Sequence, residues 1–140
     1  MRILIVNGPN LNLLGKRETS IYGSEGFDGF FEDLKKSTPE AGLEYYQSNV
    51  EGALFNKLQS SKVDGVLLNA AAYTHTSVAL RDAIAAIETP VIEIHISNLL
   101  SREEFRHTSL IGGVCVGSIS GFGLNSYRLG VTALVDYLNS

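Results

Sequence analysis

Residues 65–95 read GVLLNAAAYTHTSVALRDAIAAIETPVIEIH. Two short apolar runs, Gly65–Leu68 and Pro90–His95, bracket a stretch in which Leu80, Ala83, Ile84 and Ile87 recur at spacings of three and four, the period of one helix face. The segment therefore reads as strand, helix, strand. A helical crossover between two strands makes them parallel and the connection right-handed. Pro90 opens the second strand because the backbone before a proline leaves the helical region.

The same pattern continues in both directions. Ile3–Val6, Leu43–Gln47 and Val114–Ser118 are further apolar runs bounded by Gly, Asn or Ser. Phe27, Phe30, Phe31 and Leu34 keep helical spacing, as do Leu124, Val131, Leu134, Val135 and Leu138, and a shorter helix is expected over Glu51–Ser60. Pro39 and Gly42 stop the first of these. Five strands alternating with helices predict one α/β domain over residues 1–140, flavodoxin-like, with a five-stranded parallel sheet covered by helices on both faces. In such sheets ligands bind outside the carboxyl ends of the strands, where the strand order reverses.

Composition agrees with a single soluble domain: 140 residues, 44% hydrophobic and 19% charged, with 11 basic against 15 acidic side chains. The net charge of -4 argues against a surface that tracks phosphates, so neither DNA nor RNA is the expected partner. No run approaches the roughly 20 apolar residues of a membrane span, and MRILIVNG lacks the cleavage pattern of a signal peptide. The cytoplasm is the expected location. The single cysteine, Cys115, sits in an apolar stretch and is read as an inert buried thiol.

The unusual polar residues gather after the first, third and fourth strands. They are Asn7, Asn10, Asn12, Arg17 and Tyr22; Asn69, Tyr73, His75 and Ser77; and His95, Ser97, Asn98, Arg102 and Arg106. These loops share one rim. A phosphate loop is excluded at Gly8–Lys16, because six residues separate Gly8 from Gly15 and Arg17 follows Lys16. Gly121 and Gly123 lack the third glycine of a dinucleotide fingerprint. The three histidines show no metal-binding spacing, and Glu103 with His107 reads as a solvated pair on a helix, so no metal and no cofactor are expected.

Metal-free acid–base chemistry remains. A fixed positive charge beside a phenol favours the phenolate, and Arg17 is placed to supply it to Tyr22. Making a phenolate at neutral pH costs about 4 kcal/mol, more than one exposed guanidinium provides, so the loop is expected to close as a lid, with Gly15 and Gly23 as hinges. His95 ends a strand at the rim with Glu93 on the same side two residues earlier, an arrangement that orients an imidazole for proton transfer. The Ile96 and Ser97 peptides offer an anion nest. Arg102 and Arg106 stand one helical turn apart and either reaches a ligand or faces water; Asp82 reads as a surface partner of Arg81. A non-catalytic binding module on the same scaffold is the competing class.

At these loops the chain resembles the type II 3-dehydroquinate dehydratases of the shikimate or quinate pathways, through NGPNLNLLG, the following R-E and I-Y-G, YTHTS, and H-x-SN followed by REEFRH. The resemblance runs end to end. It implies a lyase that converts 3-dehydroquinate to 3-dehydroshikimate by trans elimination through an enolate, without metal or Schiff base. Tyr22 takes a proton from carbon 2, Arg17 holds the tyrosinate, Asn10 stabilises the enolate, and His95, oriented by Glu93, protonates the departing hydroxyl. Asn69, His75, Ile96, Ser97 and Arg106 hold the substrate. Asp82 reaches the site of an adjacent subunit in a homododecamer, a tetramer of trimers. Thr19, Ala71, Leu100, Ser101, Thr108, Gly112 and Gly113 depart from the family's usual residues.

Overall fold

The structure, a computed structural model, describes residues 1–16, 18–22 and 25–140. Strands β1 (Arg2–Asn7), β2 (Gly42–Gln47), β3 (Gly65–Asn69), β4 (Val91–His95) and β5 (Gly117–Ser120) form one parallel sheet in the order β2-β1-β3-β4-β5. Helices α1 (Thr19–Tyr22), α2 (Phe27–Ser37), α3 (Glu51–Ser60), α4 (Val78–Ala86) and α5 (Asn125–Asn139) occupy the connections and the carboxyl terminus. This is the flavodoxin-like order. The chain reverses its direction of travel across the sheet between β1 and β3, which opens a crevice beyond the ends of those strands.

Successive strand residues point to opposite faces. Ile3 and Ile5 pack with Phe27, Phe30 and Leu34 of α2 and with Val131 and Leu134 of α5. Leu4 and Val6 pack with Leu54 and Leu58 of α3 and with Leu80 and Ile84 of α4. Burial on both faces is why the central strands β1, β3 and β4 read as largely apolar runs, whereas the edge strands β2 and β5 are more exposed. Helix α5 lies close to the sheet because Gly130 carries no side chain: a Cβ there would stand 2.7 Å from Ile94 Cδ1. Among the described residues, no helix is long and apolar enough to cross a membrane.

Two expectations are corrected. The last strand begins at Gly117, because Gly112–Val114 forms a 3-10 turn, and Val116 is held by its N–H donating to Val91 O at 2.8 Å just before the ladder starts. The segment carrying Arg102 and Arg106 is not one helix. It is two 3-10 turns, Leu99–Ser101 and Glu104–Arg106, separated by an extended Arg102 at φ -102° and ψ -169°. The Glu103 and His107 pairing dissolves with it: His107 Nε2 donates to Arg102 O at 2.9 Å.

Candidate active site

The rim is fastened from below. Asn7 and Asn69 end β1 and β3, both buried, and the hydroxyl of Tyr127 in the first turn of α5 joins them. Tyr127 Oη donates to Asn7 Oδ1 at 2.7 Å and accepts from Asn69 Nδ2 at 2.8 Å. Burial pushes the Tyr127 phenol far above its ordinary range, so it remains a neutral hydroxyl that can serve both partners. Above this tie the first loop passes tightly over the third. Gly8 N–H donates to Asn69 O at 2.8 Å, and a Cβ on Gly8 would collide with Ala70 O at 2.7 Å. Asn10 then adopts a left-handed φ of 69°, which asparagine tolerates, and its N–H is fixed by Asn49 Oδ1 at 2.9 Å.

Beyond the strand ends, Asn10, Tyr22, Asn69, His75 and His95 line one cavity of about 100 Å³, with Ile96, Ser97, Arg102 and Arg106 completing its wall. The His95 side of the cavity is built into the core. His95 and Glu93 are 5% and 2% exposed, and His95 Nε2 lies 2.6 Å from Glu93 Oε2. Burial pushes the Glu93 carboxyl up, but the hydrogen bond and charge of His95, the Ser109 hydroxyl and the His75 charge together hold it below its ordinary value. Glu93 is thus an ionised acceptor and His95 Nε2–H is the donor, which leaves Nδ1 without a bond to Glu93. The His75 ring stands 6.4 Å from that of His95. Burial lowers its pKa, reinforced by His95 and Arg106 and opposed by the Thr108 carbonyl and Glu93. Its Nδ1–H donates to Thr108 O at 2.8 Å, which leaves Nε2 as an acceptor.

The opposite wall carries the phenol. Tyr22 is half-buried at the end of the four-residue α1. Arg17, the expected partner of Tyr22, and Gly23, one expected hinge, lie outside the described residues. Among the described residues, the cation at the Tyr22 hydroxyl is Arg102: its Nη1 donates to Tyr22 Oη at 2.9 Å and to Ser97 Oγ at 3.3 Å, and its guanidinium lies 5.3 Å from the ring centroid. A guanidinium donating to that oxygen stabilises negative charge on it. The extended backbone at Arg102 is what lets Arg102 and Arg106 both line the cavity. Sequence spacing left Arg102 undecided between ligand and solvent, because it assumed a helix.

Asp82 stands apart, exposed on α4 and paired with Arg81 at 3.0 Å. Cys115 is half-buried, and burial with the nearby Glu93 charge pushes its thiol up to about 12, a poor nucleophile. The described cavity wall includes no lysine, and Lys16, Lys35, Lys36, Lys57 and Lys62 are all exposed or half-exposed. Gly15 takes a φ of 86°, which suits it to a turn. Ala71 sits at a φ of 52° with its N–H donating to Asn69 Oδ1 at 3.1 Å, a strained position for a residue with a Cβ.

Residues 1–135 match the family model described as Dehydroquinase class II. A 3-dehydroquinate dehydratase of Prochlorococcus marinus (strain NATL1A) is 49% identical over 142 residues, covering 99% of this chain and 98% of that one. A protein of the same name from Exiguobacterium sp. (strain ATCC BAA-1283 / AT1b) is 52% identical over 139 residues, covering 98% and 96%. The crystal structure of type II dehydroquinase from Butyrivibrio crossotus DSM 2876 superposes with a TM-score of 0.90 at 46% identity, over 100% of this chain and 98% of that one. The type II dehydroquinase of Propionibacterium acnes gives 0.87 at 35% identity, over 99% and 97%.

Proposed function

The chain belongs to the class II dehydroquinase family, and we propose that residues 1–140 act as a single catalytic domain dehydrating 3-dehydroquinate to 3-dehydroshikimate. The observation that carries this reading is the pairing across one cavity of a phenol held by a guanidinium with an imidazole held by a buried carboxylate. Tyr22, as phenolate, takes the proton from carbon 2. The electron pair moves onto the neighbouring carbonyl oxygen, and Asn10 stabilises the resulting enolate. When the enolate collapses, the β-hydroxyl leaves with a proton from His95 on the opposite wall, and water departs in the trans sense. Arg102 holds the phenolate, and Arg17 adds to that charge. Glu93 orients His95.

Asn69, His75, Ile96, Ser97 and Arg106 hold the substrate's hydroxyls and carboxylate. The guanidiniums of Arg102 and Arg106 in the described wall suit an anionic substrate and disfavour a metal cation, so the reaction proceeds without metal. It also proceeds without a Schiff base, for want of a lysine in the described wall. The working unit is a homododecamer of four trimers in the cytoplasm, in which Asp82 serves a neighbouring subunit; its exposure away from this cavity supports that assignment.

Purified protein incubated with 3-dehydroquinate is expected to produce the ultraviolet absorbance of the conjugated product. No rise at high enzyme concentration would sink the reading. Borohydride added with substrate is expected to leave activity intact.

A further inference from the structure

We propose that Ser109 is a positioning residue for the proton donor: its hydroxyl pins the carboxylate oxygen of Glu93 that carries His95, and thereby fixes the plane in which the imidazole is held. The inference rests on the reading of His95 as the acid that protonates the leaving hydroxyl.

Ser109 does not line the cavity, and its hydroxyl reaches the reaction only through Glu93. Ser109 Oγ lies 2.8 Å from Glu93 Oε2, the same oxygen that His95 Nε2 meets at 2.6 Å. The direction of this bond follows from the two partners it links and the backbone beside them. Gly112 N–H donates to Ser109 Oγ at 2.9 Å and the ionised Glu93 carboxylate can only accept, so the serine's one proton turns to the carboxylate. The hydroxyl is itself anchored. Leu110 N–H, next in the chain, donates to Thr74 O at 2.8 Å, and Ile111 is fully buried. Oε1 abuts Gly112, where a Cβ would come within 3.0 Å.

The terminal torsion of a glutamate is soft. With one oxygen gripped by two donors and the other facing the space that a Cβ on Gly112 would fill, the carboxylate plane is restricted, and the ring bonded to it inherits that restriction. Removal of the serine hydroxyl leaves His95 as the only side-chain donor to Glu93 among the described residues. The charges around the pair are otherwise unchanged by such a substitution: His75 beside His95, Arg106 and Arg102 in the cavity wall, Tyr22 opposite, and the neutral Cys115 thiol beside Glu93.

The test is Ser109→Ala, with Ser109→Thr as the variant that keeps the hydroxyl and Ser109→Cys as a size-matched weak donor should the alanine variant not fold. In the alanine variant kcat is expected to fall roughly 10-fold, with KM moving by less than about 3-fold. The acid limb of the pH profile shifts to higher pH, because Glu93 has lost a donor that favours its ionised form. Threonine is expected to restore both, and cysteine to share the alanine shift. A folded alanine or cysteine variant with unchanged kcat and an unmoved acid limb overturns the proposal. A carbon-13 titration of the Glu93 carboxyl in the free protein separates this from failure of the dehydratase reading. If wild type turns over no 3-dehydroquinate, a Glu93 titration that moves to higher pH in Ser109→Ala still supports the carboxylate tether, and one that stays put overturns it.

Discussion

His95 and Tyr22 line one cavity on different kinds of support. His95 ends a central strand, is 5% exposed, and shares its carboxylate partner with a serine that the backbone in turn anchors. Tyr22 ends a four-residue helix that buries none of its residues, and among the described residues the guanidinium that meets its hydroxyl is Arg102, reaching over from another loop. His95 is therefore positioned by folding itself, whereas Tyr22 is held, among the described residues, by a charged contact at the surface of the core. Substitutions on the β4 side should move stability and rate together; those on the α1 side should move rate alone.

The sharpest way to break this contrast is Tyr22→Phe. Loss of the proton acceptor is expected to lower kcat by about 10²–10⁴, while substrate still binds and the thermal midpoint stays within about 2 °C of wild type. A variant that unfolds as it loses activity would show that α1 is part of the structural core after all. Turnover retained in Tyr22→Phe would remove the phenol from the mechanism, whereas a wild type that only bound ligand would favour a binding module.

On the other wall, Glu93→Gln is expected to lower kcat by roughly 10- to 100-fold and also to cost about 1–3 kcal/mol of stability at neutral pH. The pH dependence carries the sign. The folded carboxyl lies below its ordinary value, so its contribution is fully present above that value. It is lost as pH falls through the depressed folded value. Urea unfolding across that range should show the acid loss in wild type and a flatter curve in Glu93→Gln. Equal slopes in the two proteins would contradict a tightly held carboxylate.

Ala71→Gly gives the smallest effect and tests the floor between the two walls. Relief of the strained φ of 52° is expected to add about 0.5–1 kcal/mol net of the chain entropy that glycine brings. A lower unfolding midpoint would mean that the Ala71 methyl packs better than its backbone suffers.

The order of elements was legible in the sequence because burial on both faces leaves the central strands β1, β3 and β4 as apolar runs that stand out between helical periods. The fifth strand slipped by about three residues: Val114 and Val116 look like strand residues, but the glycines before them allow a turn that delays the ladder to Gly117. Asn69, His75 and His95 were readable as rim residues from their places after strands. Arg102 was not, since its approach to Tyr22 depends on one extended residue between two 3-10 turns, a backbone choice that no spacing announces. Ser109 was invisible for a related reason. A serine sixteen residues from its carboxylate carries no local signal and is found only where the chain returns.

Tyr127 lies in the first turn of the last helix, and its hydroxyl clasps the ends of two strands from opposite parts of the chain. Ser140 at the far end of that helix is exposed. A fusion partner or affinity label attached there sits remote from the clasp, whereas an edit that slides the helix by one turn unfastens the asparagines beneath both loops at once, silencing the protein without altering any side chain that touches its ligand.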